Sequence, residues 1–151
     1  MAFYGVRKMT ILKRSRDLLQ GHGIDIGLLV LRLWFGLVLA FAHGWGKLTG
    51  FEGFSGYVAR QGFWLPELAA AFAVAGELLA GIFIALGIFF RVSAVAMAIT
   101  MFTAALVIHW GDPFKKIEFA MAYAIPALAF FFTGPGRISL SSWWHARKSK
   151  V

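Results

Sequence analysis

Six ionisable residues stand where a membrane-type sequence seldom admits them. Arg32, His43, Lys47, Glu77, His109 and Glu118 lie within, at the ends of, or close beside long apolar runs. An ionised side chain at the centre of a bilayer costs at least about 2.5 kcal/mol on the mildest insertion scale, so such residues are functional candidates by default. Histidine and carboxylate groups can hydrogen-bond the carbonyls of a quinone and exchange protons with the quinol, while the cofactor carries the redox change. A quinone is therefore the cofactor that this mixture of polar and aromatic residues suits best. A metal or haem suits it less well. His43 and His109 could be ligands with Glu77 or Glu118 as oxygen donor, but no H-x-x-H or H-E-x-x-H spacing is present.

Each residue also has a plainer reading. Lys47, His109 and Glu118 fall near the ends of apolar runs, where a long side chain reaches the headgroups at little cost. Taken singly, each reads first as a solvated or capping residue. Arg32 and Glu77 resist that account. Glu77 has about ten apolar residues on either side, and its structural reading is an ion pair with Arg32 across antiparallel first and second spans. A buried pair is a weak source of stability. Structural pairing and a proton or substrate role therefore stand level for Glu77.

Four apolar runs must position these groups: residues 26–43, 68–90, 92–110 and 118–133. About 20 apolar residues in a helix cross a hydrocarbon core of roughly 30 Å. On the first run Arg32, Gly36, His43 and Lys47 share a stripe; on the second, Glu77 sits among Ala73, Gly76, Ala80 and Gly81. Ala94, Ala98, Ala105 and His109 share a stripe on the third, and Glu118, Ala122, Ile125 and Ala129 on the fourth. Small residues mark helix–helix contact in membranes, so the ionisable groups point into a bundle. The aromatic segment between Trp45 and Pro66 predicts a short interfacial helix. The neighbourhood of Arg91 predicts a tight turn, Pro126 a kink, and Gly134-Pro135-Gly136 the end of the last span. Three regions follow: a basic amphipathic segment over 1–25, a four-helix transmembrane domain over 26–140, and a basic tail over 141–151.

Composition agrees. The chain has 151 residues, of which 60% are hydrophobic, and a mean hydropathy of +0.73, far above an ordinary soluble domain. It has no cysteine, which excludes disulfides, thiol redox chemistry and Cys-ligated clusters. The net charge of +8 comes from basic residues gathered mainly at the termini, as membrane flanks require, so it does not point to nucleic acid. Ala40-Phe41-Ala42 resembles a signal-peptidase site, but the basic lead before the apolar stretch is long and Arg32 interrupts that stretch.

The chain resembles DoxX-type membrane proteins, the family that includes the DoxD-like small subunit of thiosulfate:quinone oxidoreductase. The resemblance rests on Leu31-Arg32-Leu33, His43-Gly44-Trp45-Gly46-Lys47-Leu48, and Pro66 leading to Glu77-Leu78-Leu79-Ala80-Gly81. It continues through Leu86-Gly87-Ile88, Arg91, Ala104-Ala105 with His109, Glu118-Phe119-Ala120 and Gly134-Pro135-Gly136-Arg137-Ile138-Ser139-Leu140. It implies a four-helix prokaryotic inner-membrane protein, linked in some members to quinone-coupled sulfur oxidation or redox-stress complexes. Ile117, where the family often has Gly, and Ser141, where it often has Asp, depart from that pattern.

The expectation is an all-α membrane protein, an antiparallel four-span bundle in a bacterial plasma membrane. It would serve as a small subunit of an oxidoreductase system, handling quinone or protons near the outer face. His43, Lys47, His109 and Glu118 would line that pocket, with Arg32 and Glu77 as its buried electrostatic core. The alternatives are a non-catalytic anchor or assembly partner, and a small proton-coupled transporter. Its partners would be the bilayer and a soluble or membrane-associated redox protein, with homo-oligomers also open.

With four spans, the side holding both termini and Arg91 collects ten Lys and Arg residues, against four on the other. The positive-inside rule makes that side cytoplasmic. Reporter fusions at the C-terminus and within residues 50–60 will report opposite sides, with the C-terminus cytoplasmic; the reverse pattern would invert every depth assignment.

Overall fold

A computed structural model of the chain describes residues 22–148; nearly all of the expected basic amphipathic segment lies outside them. Six helices follow in order: α1 (His22–Thr49), α2 (Phe51–Arg60), α3 (Pro66–Leu86), α4 (Phe90–Ile108), α5 (Phe114–Thr133) and α6 (Leu140–Lys148). There is no strand among the described residues. The helices α1, α3, α4 and α5 are long and apolar enough to cross a membrane. The fold is an all-α membrane bundle of four spans.

Local chemistry explains the boundaries. Pro66 occupies the first turn of α3, where its missing N–H costs nothing. Gly87 ends α3 in the left-handed region, at φ 72°, and its N–H and that of Ile88 both return to the Phe83 carbonyl. This is the tight turn expected near Arg91, which lies in the first turn of α4. Gly134, at φ 73°, ends α5, and that helix runs unbroken through Pro126. Two boundaries differ from the sequence expectation. The first helix continues past His43, because Gly44 is helical, with φ −67°; Lys47 therefore remains on α1. Residues 140–148 of the basic tail are helical, with the Ser139 hydroxyl accepting the Ser142 N–H at 3.2 Å as an N-cap.

The bundle closes through small residues. A Cβ on Gly36 would lie 2.5 Å from the Gly81 carbonyl oxygen, and one on Gly44 would lie 2.7 Å from the Leu78 nitrogen. These two contacts bring the backbones of α1 and α3 together and set their antiparallel register. Gly76 is equally close to Thr100, which seats α4 against α3. On the far side of α4, Phe90, Ala94, Met97 and Met101 meet Tyr123, Ala124, Ala127 and Phe130 of α5 to form the main core. A smaller cluster of Ala40, Val74 and Leu78 holds the aromatic side chains of α2.

Gly36→Ala and Gly81→Ala each place a methyl against backbone that cannot step aside. Each will lower stability by about 1–3 kcal/mol, the usual cost of overpacking, read as a lower melting temperature in detergent. Gly53→Ala, whose Cβ meets nothing within 4 Å, will leave it unchanged.

Candidate functional site

The three helices α1, α3 and α4 each contain one widened, π-helical turn: Val38–Gly44, Ala75–Leu79 and Ala104–Ile108. Such a turn fits one extra residue and re-aims the side chains around it, and π-turns gather at functional sites. Here Glu77 lies inside the second, and His109 closes the third by donating its N–H to the Ala104 carbonyl at 2.9 Å.

Glu77 is only 2% exposed. Its Oε1 accepts a hydrogen bond from Lys47 Nζ, and the two form an ion pair. Its other oxygen, Oε2, is buried with no partner. The close approach at Gly44 and Leu78 lets Lys47 reach the residue next to Leu78. The expected Arg32–Glu77 pair is absent. Arg32 packs against Gly87, ten residues along α3 from Glu77 and so about 15 Å away along the axis. There its guanidinium donates to the carbonyls of Pro135, at 3.3 Å, and Ile138. The antiparallel register forbids the pair that span composition suggested.

Lys47, Glu77 and His109 line one cavity of about 430 Å³, together with Phe54, Tyr57, Phe63, Phe72, Thr100 and Thr103. Its size falls within the range of small-molecule sites, and a mostly apolar lining with a few convergent polar groups is what such sites use. The helix α2 supplies part of the wall. Beyond the membrane end of α4, His109 Nδ1 lies 2.8 Å from Asp112 Oδ2, and Lys116 Nζ donates to the same oxygen at 3.1 Å. Hydrogen bonds from His109 and then Lys116 hold the Asp112 carboxyl below its usual range. The ordering that this carboxylate provides is therefore present at neutral pH and is lost only as acid titrates Asp112 below the ordinary aspartate range. A proton on Nδ1 shared with Asp112 leaves Nε2 as the open ring nitrogen.

The other expected site residues lie elsewhere. His43 packs on α5, with its ring centroid 4.9 Å from that of Phe119 and 6.1 Å from that of Tyr123. It lies within electrostatic reach of Glu77 and Lys47 but is not part of the cavity wall. Glu118 is exposed on α5. The single pocket expected for His43, His109 and Glu118 is thus divided, and only His109 faces the cavity. The stripe argument fails for His43 because a π-turn rephases α1. It fails for Glu118 because its whole stripe faces outward: Ala122, Ile125 and Ala129 are exposed with it, and the buried face of α5 is Ala120, Tyr123, Ala124, Ala127 and Phe130. Asp112 escaped sequence reasoning, since it reads as a turn residue in Gly111-Asp112-Pro113; its spacing of three from His109 was the available signal. Among the described residues no three His, Asp or Glu side chains gather as a metal site requires.

Fold and site define a four-span helical membrane protein with a buried ion pair beside a polar-tipped cavity. The DoxX family model matches residues 27–110, more than half of the chain, and the chain belongs to the DoxX family. It is 36% identical over 134 residues to inner membrane protein YphA of Escherichia coli (strain K12), covering 80% of this chain and 91% of that protein. It is 29% identical over 122 residues to CatD of Bacillus subtilis (strain 168), a protein named provisionally as an oxidoreductase, covering 80% of this chain and 89% of that one. No solved structure matches it. The family match spans Arg32, His43, Lys47, Glu77 and His109 and stops before Asp112 and Glu118.

Removing either partner of the ion pair strands the other, with unequal results. Lys47→Met leaves Glu77 buried and will cost about 3 kcal/mol. Glu77→Gln leaves Lys47, whose side chain is 32% exposed, free to turn outward, and will cost less. Changing both residues to apolar ones will recover part of the loss, whereas Arg32→Met and Glu77→Gln will be additive. Melting curves of the single and double variants measure each term.

Proposed function

We propose that this chain is a quinone-handling subunit of an oxidoreductase system in the inner membrane. One observation carries the reading: Lys47, Glu77 and His109 converge on a single aromatic-walled cavity within the membrane-spanning bundle. The residues fit the group, because the unpartnered Glu77 Oε2 supplies a buried oxygen with hydrogen-bonding capacity to spare. A quinone, when bound, supplies paired electron and proton chemistry. Lys47 would donate hydrogen bonds to its oxygens. His109, held by Asp112, presents Nε2 to accept or donate a proton. Glu77 holds a proton or a charge beside them, and Lys47 balances the charged state. Phe54, Tyr57 and Phe72 would supply the apolar wall against its ring. A reduced redox protein would have to supply the electrons. The kinships with an inner membrane protein and with a protein named as an oxidoreductase support this reading. The anchor reading has one observation in its favour: the Lys47–Glu77 pair is already closed within the chain.

Extraction of protein purified in mild detergent, with mass spectrometry of the extract, will give quinone per protein. A lost hydrogen bond in a dry site costs about 1–3 kcal/mol, so Lys47→Met and His109→Phe will each lower retention by about 5- to 160-fold. His43→Ala and Glu118→Gln will retain the wild-type amount. Quinone absent from the wild-type protein, or retained equally by all four variants, would favour the anchor.

A further inference from the structure

At the opposite end of the bundle a second, open groove of about 750 Å³ runs between Arg32 of α1, the end of α3 and the helix α6. Arg32, Leu86, Arg137, Leu140, Ser142 and Trp143 line it. Arg32 is 3% exposed. Its two terminal nitrogens donate to backbone carbonyls, while Nε is buried with no partner. Carbonyls satisfy donors but do not neutralise charge. Among the described residues no carboxylate lies at ion-pair distance from Arg32, so the groove has a buried positive charge behind it.

Arg137 in the lining and the basic end of α6 beside it add more positive charge. The Arg147 guanidinium stacks 3.9 Å above the Trp143 ring, and Lys148 lies 5.9 Å from the centre of the Trp144 ring. The Arg137 side chain is 87% exposed; its Nε is 3.9 Å from Asp25 Oδ2, and its backbone N–H donates to Asp25 Oδ1 at 2.8 Å. Asp25 sits beside Arg137 alone, and among the described residues no carboxylate is at ion-pair distance from Arg32, Arg147 or Lys148. Exposed Trp143 and Trp144 place this end at the headgroup level, where such rings settle. Leu86 and Leu140 are apolar and exposed. A basic rim at headgroup depth above an apolar wall matches a molecule with an anionic head and a hydrocarbon tail.

We propose that this groove binds an anionic phospholipid. Its phosphodiester meets Arg137 and Arg147, with the Arg32 charge behind them, and an acyl chain covers Leu86 and Leu140. The lipid balances the Arg32 charge and fastens α6 to the spans. The site is independent of the cavity lined by Lys47 and Glu77.

The test uses the full chain, delipidated in a neutral detergent, and melting curves with added phosphatidylglycerol, phosphatidylcholine or inorganic phosphate. Phosphatidylglycerol will raise the melting temperature; the other two will not. The variant Arg137→Gln with Arg147→Gln changes exposed side chains, so it will melt like the wild type without lipid. Each basic residue near an anionic surface contributes about a fivefold factor, so this variant will bind phosphatidylglycerol about 25-fold more weakly. Equal stabilisation by phosphatidylcholine would show an unselective apolar groove and overturn the proposal. Inorganic phosphate reproducing the full shift would assign the site to a free anion. Melting that tracks protein concentration instead of lipid would assign it to a second copy of the chain. Unchanged affinity in the double variant would also overturn it.

Discussion

The approach of α1 to α3 governs the electrostatics of this bundle. A bilayer offers no water to a carboxylate at the depth of Glu77, so the partner must come from protein. Lys47 can be that partner only because Gly36 and Gly81 bring the two backbones into contact and Gly44 lets α3 lie against α1 near Leu78. The same register sets Arg32 opposite Gly87 and delivers its guanidinium to the carbonyls of the segment after α5. One close contact between two helices thus assigns two buried charges to opposite ends of the molecule, each with its own means of stabilisation.

The two ends then differ in kind. Glu77 has a counter-ion but one oxygen without a partner, beside a cavity. Arg32 has carbonyl acceptors but no counter-ion among the described residues, beside a groove. The first arrangement leaves hydrogen-bonding capacity open to a ligand. The second leaves charge open. An aromatic-walled cavity suits a neutral ring with polar oxygens, while a basic groove at headgroup level suits an anion. Neither site draws on the other's residues.

Sequence reasoning captures the spans, the small-residue contacts of α1, α3 and α4 but not those expected on α5, the helix after Trp45 and the turn before Arg91, because each rests on local composition or on a glycine in a required conformation. It also places Lys47, Glu77 and His109 among the functional candidates. It misses which of these residues meet. An ideal helical period assigns His43 and Lys47 to one stripe, but the widened turn at Val38–Gly44 breaks that period, and nothing in the composition of those residues announces it. The pairing of Arg32 with Glu77 follows from opposite charge on neighbouring spans, yet axial register decides pairing, and register depends on which glycines touch. The helix over residues 140–148 was hidden because a basic tail with two tryptophans reads as an anchor whether or not it is ordered.

The three widened turns have a joint consequence. In a regular helix each residue advances by about 100°, so one extra residue rotates everything beyond it relative to everything before it. In α1, α3 and α4 the rotation falls between the segment that packs the bundle and the polar residue at or past the turn. The packing face can therefore keep its small residues while Lys47, Glu77 and His109 turn toward a common space. A widened turn also weakens local backbone bonding, a cost with no return in packing alone. Its recurrence on all three helices whose ionisable residues reach the cavity connects backbone geometry to the cavity's chemistry. The helix α5 has no such turn, and its Glu118 remains outside the site.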